Sequence, residues 1–118
     1  MPGFQCSTSG TDGLIVVTVA GDVDFAVAEV LWEELGGHLI PSAIVLMECS
    51  GISFMDSMGL RTLIRAHDRA AEQKAGFALV GVGRPVCRVL ELTGLSGLIP
   101  QFTDLEAARA GRTTLVAD

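Results

Sequence analysis

The sequence predicts an α/β domain: a mixed, mostly parallel β-sheet of about four to five strands, with about four helices packed on it. Three observations carry this. Apolar runs rich in β-branched or branched residues recur at Leu14–Ala20, Ala43–Met47 and Phe77–Val82, each short enough for a buried strand. Each run is followed by a stretch of helical periodicity, and strands joined by helices pair in parallel through right-handed crossovers. The chain has 118 residues, 49% hydrophobic and 19% charged, which fits one domain able to bury a real core.

The elements follow in order. Phe4–Ser9 can pair with Leu14–Ala20 as a hairpin through the turn-rich link Gly10-Thr-Asp-Gly13. Asp24 can cap a helix from Phe25 to about Gly36, whose apolar positions Val27, Leu31 and Leu35 recur at four-residue spacing. Gly36-Gly37 supplies its stop. Strand Ala43–Met47 ends in Glu48-Cys-Ser-Gly51, and the chain turns before Ile52-Ser-Phe-Met55. Asp56 or Ser57 opens the next helix, which places Leu60, Leu63, Ile64 and Ala71 on one face. After strand Phe77–Val82, Pro85 suits the first turn of a helix that stops near Gly94. Ile99-Pro-Gln-Phe102 is a short edge strand at best, because proline cannot donate to a ladder. Thr103-Asp-Leu-Glu106 is a capping-box sequence for a last helix ending at Gly111. The tail, residues 112–118, is expected to fray. Residues 1–118 thus read as one domain with no linker and no repeat.

Composition narrows the function. Eight basic and fourteen acidic residues give a formal charge of -6, which repels a phosphate backbone and argues against nucleic-acid binding. Cys6, Cys49 and Cys87 are widely spaced and form no metal-ligand pattern, so they read as reduced apolar residues; no metal or cofactor is expected on this chain. Neither a signal peptide nor a membrane-spanning run is visible, which leads to the expectation of a cytoplasmic protein that does not enter a membrane.

Reactive groups are few. His38 follows the helix and reads as a solvated loop residue; His67 borders the core. No nucleophile elbow and no Walker A sequence is present, and Gly81-Val-Gly83 is followed by Arg84-Pro85 rather than a dinucleotide fingerprint. The informative constellation is Asp56-Ser57-Met58-Gly59. It lies beyond the carboxyl end of a strand, where α/β domains place their sites. Ser57 reads either as a helix cap or as a displayed hydroxyl. Gly59 is a poor helix former, costing roughly 1 kcal/mol against alanine, and keeps the surface open to a close neighbour. Gly21-Asp-Val-Asp24 sits at another strand-to-helix turn. If both turns share one edge, Asp22, Asp24 and Asp56 form an acidic rim around Ser57. Asp24 carries a capping role alongside any binding role.

These residues resemble the STAS domain, specifically the anti-sigma factor antagonists (anti-anti-sigma factors). The family pattern Gly-Glu-x-Asp is matched by Gly21-Asp22-Val23-Asp24, and Asp-Leu-Ser by Glu48-Cys49-Ser50. Phe-Met-Asp-Ser-Ser-Gly-Leu is matched by Phe54–Leu60, with Met58 in place of the second serine. Val89-Leu90-Glu91-Leu92-Thr93-Gly94-Leu95 and Phe102–Ala108 also resemble the family, so the likeness covers nearly the whole chain.

The resemblance implies a regulatory protein and no enzyme. Its unphosphorylated form binds an anti-sigma factor that is also a serine kinase, and this frees a sigma factor. Phosphorylation at the serine matching Ser57 ends the complex, and a metal-dependent serine phosphatase restores it. ATP and Mg²⁺ belong to the kinase. The partner-binding residues implied are Asp22, Asp24, Asp56, Ser57, Met58 and Gly59. A phosphate at a helix start is expected to be tolerated by the dipole and free N–H groups there. Two alternatives stay open: an interaction module of a stressosome or a lipid-transport complex, and a small enzyme acting through Ser57, for which no base is evident. Monomer and dimer are both compatible with the sequence, since the strand near Phe4 can pair between copies.

Overall fold

The computed structural model describes residues 3–11 and 13–116. Five strands and four helices alternate in the expected order: β1 (Gln5–Thr11), β2 (Leu14–Val23), α1 (Ala28–His38), β3 (Ile44–Met55), α2 (Ser57–Gln73), β4 (Gly76–Val80), α3 (Arg84–Leu92), β5 (Gln101–Phe102) and α4 (Leu105–Gly111). The strands lie side by side in sequence order. β1 is antiparallel to β2, and every later pair is parallel. The carboxyl ends of β2, β3 and β4 therefore share one edge of the sheet.

Alternation along the strands builds two cores. Val17 and Val19 of β2, Val45 and Met47 of β3, and Phe77 and Leu79 of β4 face α1, α2 and α3, which contribute Leu31, Leu35, Leu63, Ala66, Val86 and Leu90. The intervening residues Val16, Leu46, Ala78 and Val80 face the other way, toward Ala108 and Leu105 of α4. Strands buried on both faces read as continuous apolar runs, which is why these three were visible in the sequence. Among the described residues, no helix is long and apolar enough to cross a membrane.

Several boundaries differ from the sequence reading. β3 does not stop at Met47. It continues through Glu48-Cys-Ser-Gly51 to Met55, with register shifts against β2 between Thr18 and Ala20 and between Gly21 and Asp22. Gly51 permits the first irregularity, since a Cβ there would lie 2.9 Å from the Cβ of Ala20. β2 likewise runs on through Gly21 to Val23, so Asp22 is a strand residue rather than a turn residue. α1 starts three residues later than expected, and Asp24 does not cap it. The N-cap position is Val27, with no side-chain cap, while Asp24 Oδ1 accepts a hydrogen bond from the N–H of Ala26 in the preceding turn. The helix passes through Gly36-Gly37 and ends at His38.

His38 is consequently helical, not a loop residue. It sits 3.1 Å from Glu34, whose carboxylate also accepts a 2.6 Å bond from the Thr8 hydroxyl. The Thr8 bond, followed by the His38 bond, holds the Glu34 carboxyl below its ordinary range and fastens α1 to the edge strand.

At the chain's end, Asp104 rather than Thr103 caps α4, accepting from the N–H of Ala107 at 2.8 Å. The tail does not fray at Arg112. A 3₁₀ turn spans Arg112–Thr114, and Leu115 packs on Gly76, so close that a Cβ on Gly76 would lie 2.8 Å from the Cβ of Leu115. Asp12 of the expected hairpin link and residues 117–118 of the tail lie outside the described residues.

Cys49 is fully enclosed in the larger core, its thiol donating to the carbonyl of Met47 at 3.3 Å. Burial, then the nearby Glu48 carboxylate, pushes the thiol up to about 12 from 9.0. The fold thus favours the protonated thiol. That contribution is fully present below pH 9 and is lost as the pH climbs toward about 12. The chain has no tyrosine to titrate in this range. Stability measured by urea unfolding should fall by on the order of 2 kcal/mol between pH 8.5 and 10.5. In Cys49→Ala the decline should be clearly shallower; an equal slope in both proteins would refute this origin.

Candidate functional site

The site is built where β2 and β3 end together. Val23 pairs with Met55 in register, and the N–H of Asp56 donates to the carbonyl of Val23 at 3.2 Å. The two turns that the sequence left at an assumed common edge are therefore joined by a backbone hydrogen bond. Asp22, paired in register with Phe54, and Asp24 lie beside Asp56 at this edge. Each of the three acidic residues is half-buried, and Asp56 alone bonds to the first turn of α2.

Asp56 decides the local geometry. It is the N-cap of α2: its Oδ1 accepts from the N–H groups of Met58 at 2.9 Å and Gly59 at 3.0 Å. Its Oδ2 accepts from the N–H of Phe25 at 3.0 Å, across 31 residues of sequence. One carboxylate thus fixes both the first turn of α2 and the loop before α1. Between the two sequence alternatives, Asp56 is the cap and Ser57 is the first helical residue. Ser57 is exposed, and its hydroxyl makes no hydrogen bond among the described residues. Of the helix-start N–H groups expected to stand free for an anion, those of Met58 and Gly59 already belong to Asp56, while that of Ser57 has no partner among the described residues.

Asp56→Ala should cost about 2 kcal/mol, the sum of a lost cap and a lost loop bond. Asp56→Asn, which keeps one carbonyl acceptor, should lose about half of that. Urea unfolding measures both. Amide exchange at Phe25, Met58 and Gly59 should speed up in the alanine variant beyond the change at β4 amides.

Gly59 has a different role from the expected one. It is buried, and a Cβ there would come 2.7 Å from the carbonyl oxygen of Val23 and 2.8 Å from Cγ of Met55. It lets α2 close on the end of β2 and does not present an open surface to a partner. Asp22 is tied down as well, its Oδ1 accepting from the Ser53 hydroxyl at 2.9 Å.

The segments that meet at Ser57 carry exposed apolar side chains. Phe25 is 75% exposed, Phe54 50% and Met58 40%. Phe25 was missed as a surface residue because it was read as the first turn of α1. The signal was present: Phe25 falls off the Val27, Leu31, Leu35 stripe that defines the buried face. From Met58 a groove of about 390 Å³ runs between α1 and α2, lined by Ala28, Glu29, Met58, Arg61, Thr62 and Arg65. Thr62 closes its floor, donating to the carbonyl of Met58 at 3.2 Å. Arg65 closes its far end, with its guanidinium 4.2 Å above the Trp32 ring and 3.5 Å from Glu29.

No histidine stands near Ser57. His67 is ten residues further along α2, roughly 15 Å at 1.5 Å per residue. It faces a depression lined by Lys74, Phe77 and Pro100, beside the opposite end of β4. His38 is at the carboxyl end of α1, also at the opposite edge. Glu48, which stands where the resemblance has Asp, accepts from the Ser50 hydroxyl at 2.9 Å and is turned toward Gly81, away from Ser57.

A sheet of this order with an exposed serine opening the second helix defines a class: the chain belongs to the STAS domain family, whose pattern it matches over residues 5–108. Several of its relatives in that family are anti-sigma factor antagonists. It is 31% identical over 86 residues to the anti-sigma-B factor antagonist of Listeria monocytogenes, covering 72% of this chain and 75% of the relative. It is 28% identical over 102 residues to the anti-sigma-F factor antagonist RsfB of Mycobacterium tuberculosis, covering 85% and 82%. The crystal structure of an anti-sigma factor antagonist from Mycobacterium paratuberculosis superposes with a TM-score of 0.80 at 25% identity, over 92% of this chain and 93% of that one.

Proposed function

We propose that this protein is a cytoplasmic anti-sigma factor antagonist switched by phosphorylation of Ser57. Unphosphorylated, it binds an anti-sigma factor serine kinase through the surface around Ser57 and so releases a sigma factor. Asp22, Asp24, Asp56, Ser57 and Met58 form that surface together with Phe25 and Phe54, while Gly59 supports it from beneath. The observation that carries the reading is a solvent-exposed serine hydroxyl at the first position of α2, with no internal partner among the described residues and with exposed Phe25, Phe54 and Met58 on the segments that meet there. The naming of its relatives as anti-sigma factor antagonists supports the class of partner.

The chain supplies an acceptor, not a catalyst. Ser57 Oγ attacks the γ-phosphorus of ATP held with Mg²⁺ on the kinase. The new P–O bond forms as the bond to the bridging oxygen of ADP breaks, and the hydroxyl proton passes to a base of the kinase. A metal-dependent serine phosphatase reverses the state: water attacks phosphorus, the serine oxygen leaves and takes up a proton, and inorganic phosphate departs. This chain needs no cofactor of its own.

Incubation with the cognate kinase and Mg-ATP should add one phosphate, seen by intact mass, and Ser57→Ala should abolish it. Phosphate found only at other residues would sink the reading. Stable co-purification with a large assembly, indifferent to Ser57→Asp, would instead mark an interaction module of a stressosome or lipid-transport complex. Turnover of a small ester lost in Ser57→Ala would mark an enzyme.

A further inference from the structure

The geometry points to Arg61 as the receiver, within the same chain, of a phosphate placed on Ser57; this inference rests on Ser57 being the modified residue. A phosphate at a helix start ordinarily takes the free N–H groups of the first turn. Here the N–H groups of Met58 and Gly59 are already bonded to Asp56 Oδ1, and that of Leu60 donates to the carbonyl of Asp56 at 3.0 Å. The N–H of Ser57 itself has no partner among the described residues, and a phosphate with three acceptor oxygens draws its further donors from side chains.

Arg61 is four residues beyond Ser57 on α2, and residues at this spacing are neighbours on a helix face, about 5–6 Å apart at Cβ. Long side chains on a helix lean toward its N-terminus, which brings the Arg61 guanidinium, now lining the α1–α2 groove, within reach of a phosphate on Ser57. Arg61 is exposed and makes no ion pair among the described residues. Arg65, one turn further, is held by Glu29 and Trp32. The charged groups facing the phosphate are thus Asp56 on its own element, Asp24 in the loop before α1, Glu29 on α1, and Arg61. Arg61 is the only cation among them. A bidentate guanidinium–phosphate pair is among the stronger charge-assisted contacts. The pair draws Arg61 out of the α1–α2 groove, so the modification both adds negative charge at the docking surface and removes a positive one from it.

The test uses the full chain with phosphoserine installed at position 57 during translation, so no kinase is needed. The pH titration of the phosphate is followed by ³¹P NMR, against an ordinary second pKa of about 6. In the phosphorylated protein with Arg61 present, the midpoint should lie about 0.3–0.6 of a pH unit below that in Arg61→Gln, as an opposite charge at this range favours the dianion. Arg61→Lys should retain part of the difference, and Arg65→Gln should leave the midpoint unchanged. Equal midpoints with and without Arg61 overturn the inference, as does an Arg65→Gln shift as large as that of Arg61→Gln. Because the phosphate is installed independently, a kinase that fails to modify Ser57 refutes the proposed function without touching this result.

Discussion

Phosphorylation of Ser57 should weaken binding to the anti-sigma factor kinase by about 100-fold or more while leaving the fold intact. The added group carries about -1.5 to -2 charges and three strongly hydrated oxygens. In the free protein these stay in water, since Ser57 is exposed, and the positive end of α2 and Arg61 offset the charge. In the complex they would be pressed among Phe25, Phe54 and Met58, side chains that favour dry contact, beside the Asp56 carboxylate. Each 1.4 kcal/mol is a factor of about ten in affinity, so a penalty of roughly 3 kcal/mol suffices. Stripping water from a phosphate that a single surface arginine only partly neutralises costs at least that much. Calorimetric titration of both forms against the cognate kinase measures the ratio, and thermal melts should agree within a few degrees. Affinities within threefold of each other would defeat the explanation, and so would a phosphorylated form that unfolds.

Gly59→Val should be the most damaging single change at the site, with a loss of about 3 kcal/mol. The new Cβ would meet the Val23 carbonyl oxygen at 2.7 Å and Met55 Cγ at 2.8 Å. The first of these is backbone at the paired end of β2, so it cannot swing aside as a side chain can. The same carbonyl accepts from the N–H of Asp56, so displacing it also breaks the joint between β2 and the start of α2. Gly59→Ala makes the sign a real question. Alanine gains roughly 1 kcal/mol in helix propensity, against overpacking of about 1–3 kcal/mol. The backbone contact should decide it as a net loss. Urea unfolding gives both values, and an alanine variant more stable than the parent would show that α2 can retreat at little cost.

The sheet was legible because its central strands are buried on both faces, and such strands announce themselves as runs like Leu14–Val19 and Ala43–Met47. What was not legible depends on contacts remote in sequence. Glu48-Cys-Ser-Gly51 has the composition of a turn, yet it is strand, because Gly51 lies against Ala20 of the neighbouring strand. Asp24 has the composition of a cap, yet α1 begins later, because Asp56 holds the N–H of Phe25 from 31 residues away. Leu115 looked like tail until Gly76 offered it a backbone with no side chain to rest on. At the site, the serine and its acidic neighbours were visible from residue types and spacing. The division of labour among them was not: Asp56 caps, Asp22 is tied to Ser53, and Gly59 faces inward.

The way Asp56 grips this edge has a consequence for organisms that run several such regulators side by side. It holds Phe25, Met58 and Gly59 by their amide nitrogens, which every residue but proline possesses. The side chains at 25 and 58 are therefore left out of the scaffold and can be exchanged freely. Duplicated copies of the chain can diverge in those two positions until each recognises its own kinase and ignores the others, while the serine, its aspartate and the chemistry of the switch stay the same. Insulation between parallel signalling lines would then be written in two surface side chains rather than in the fold.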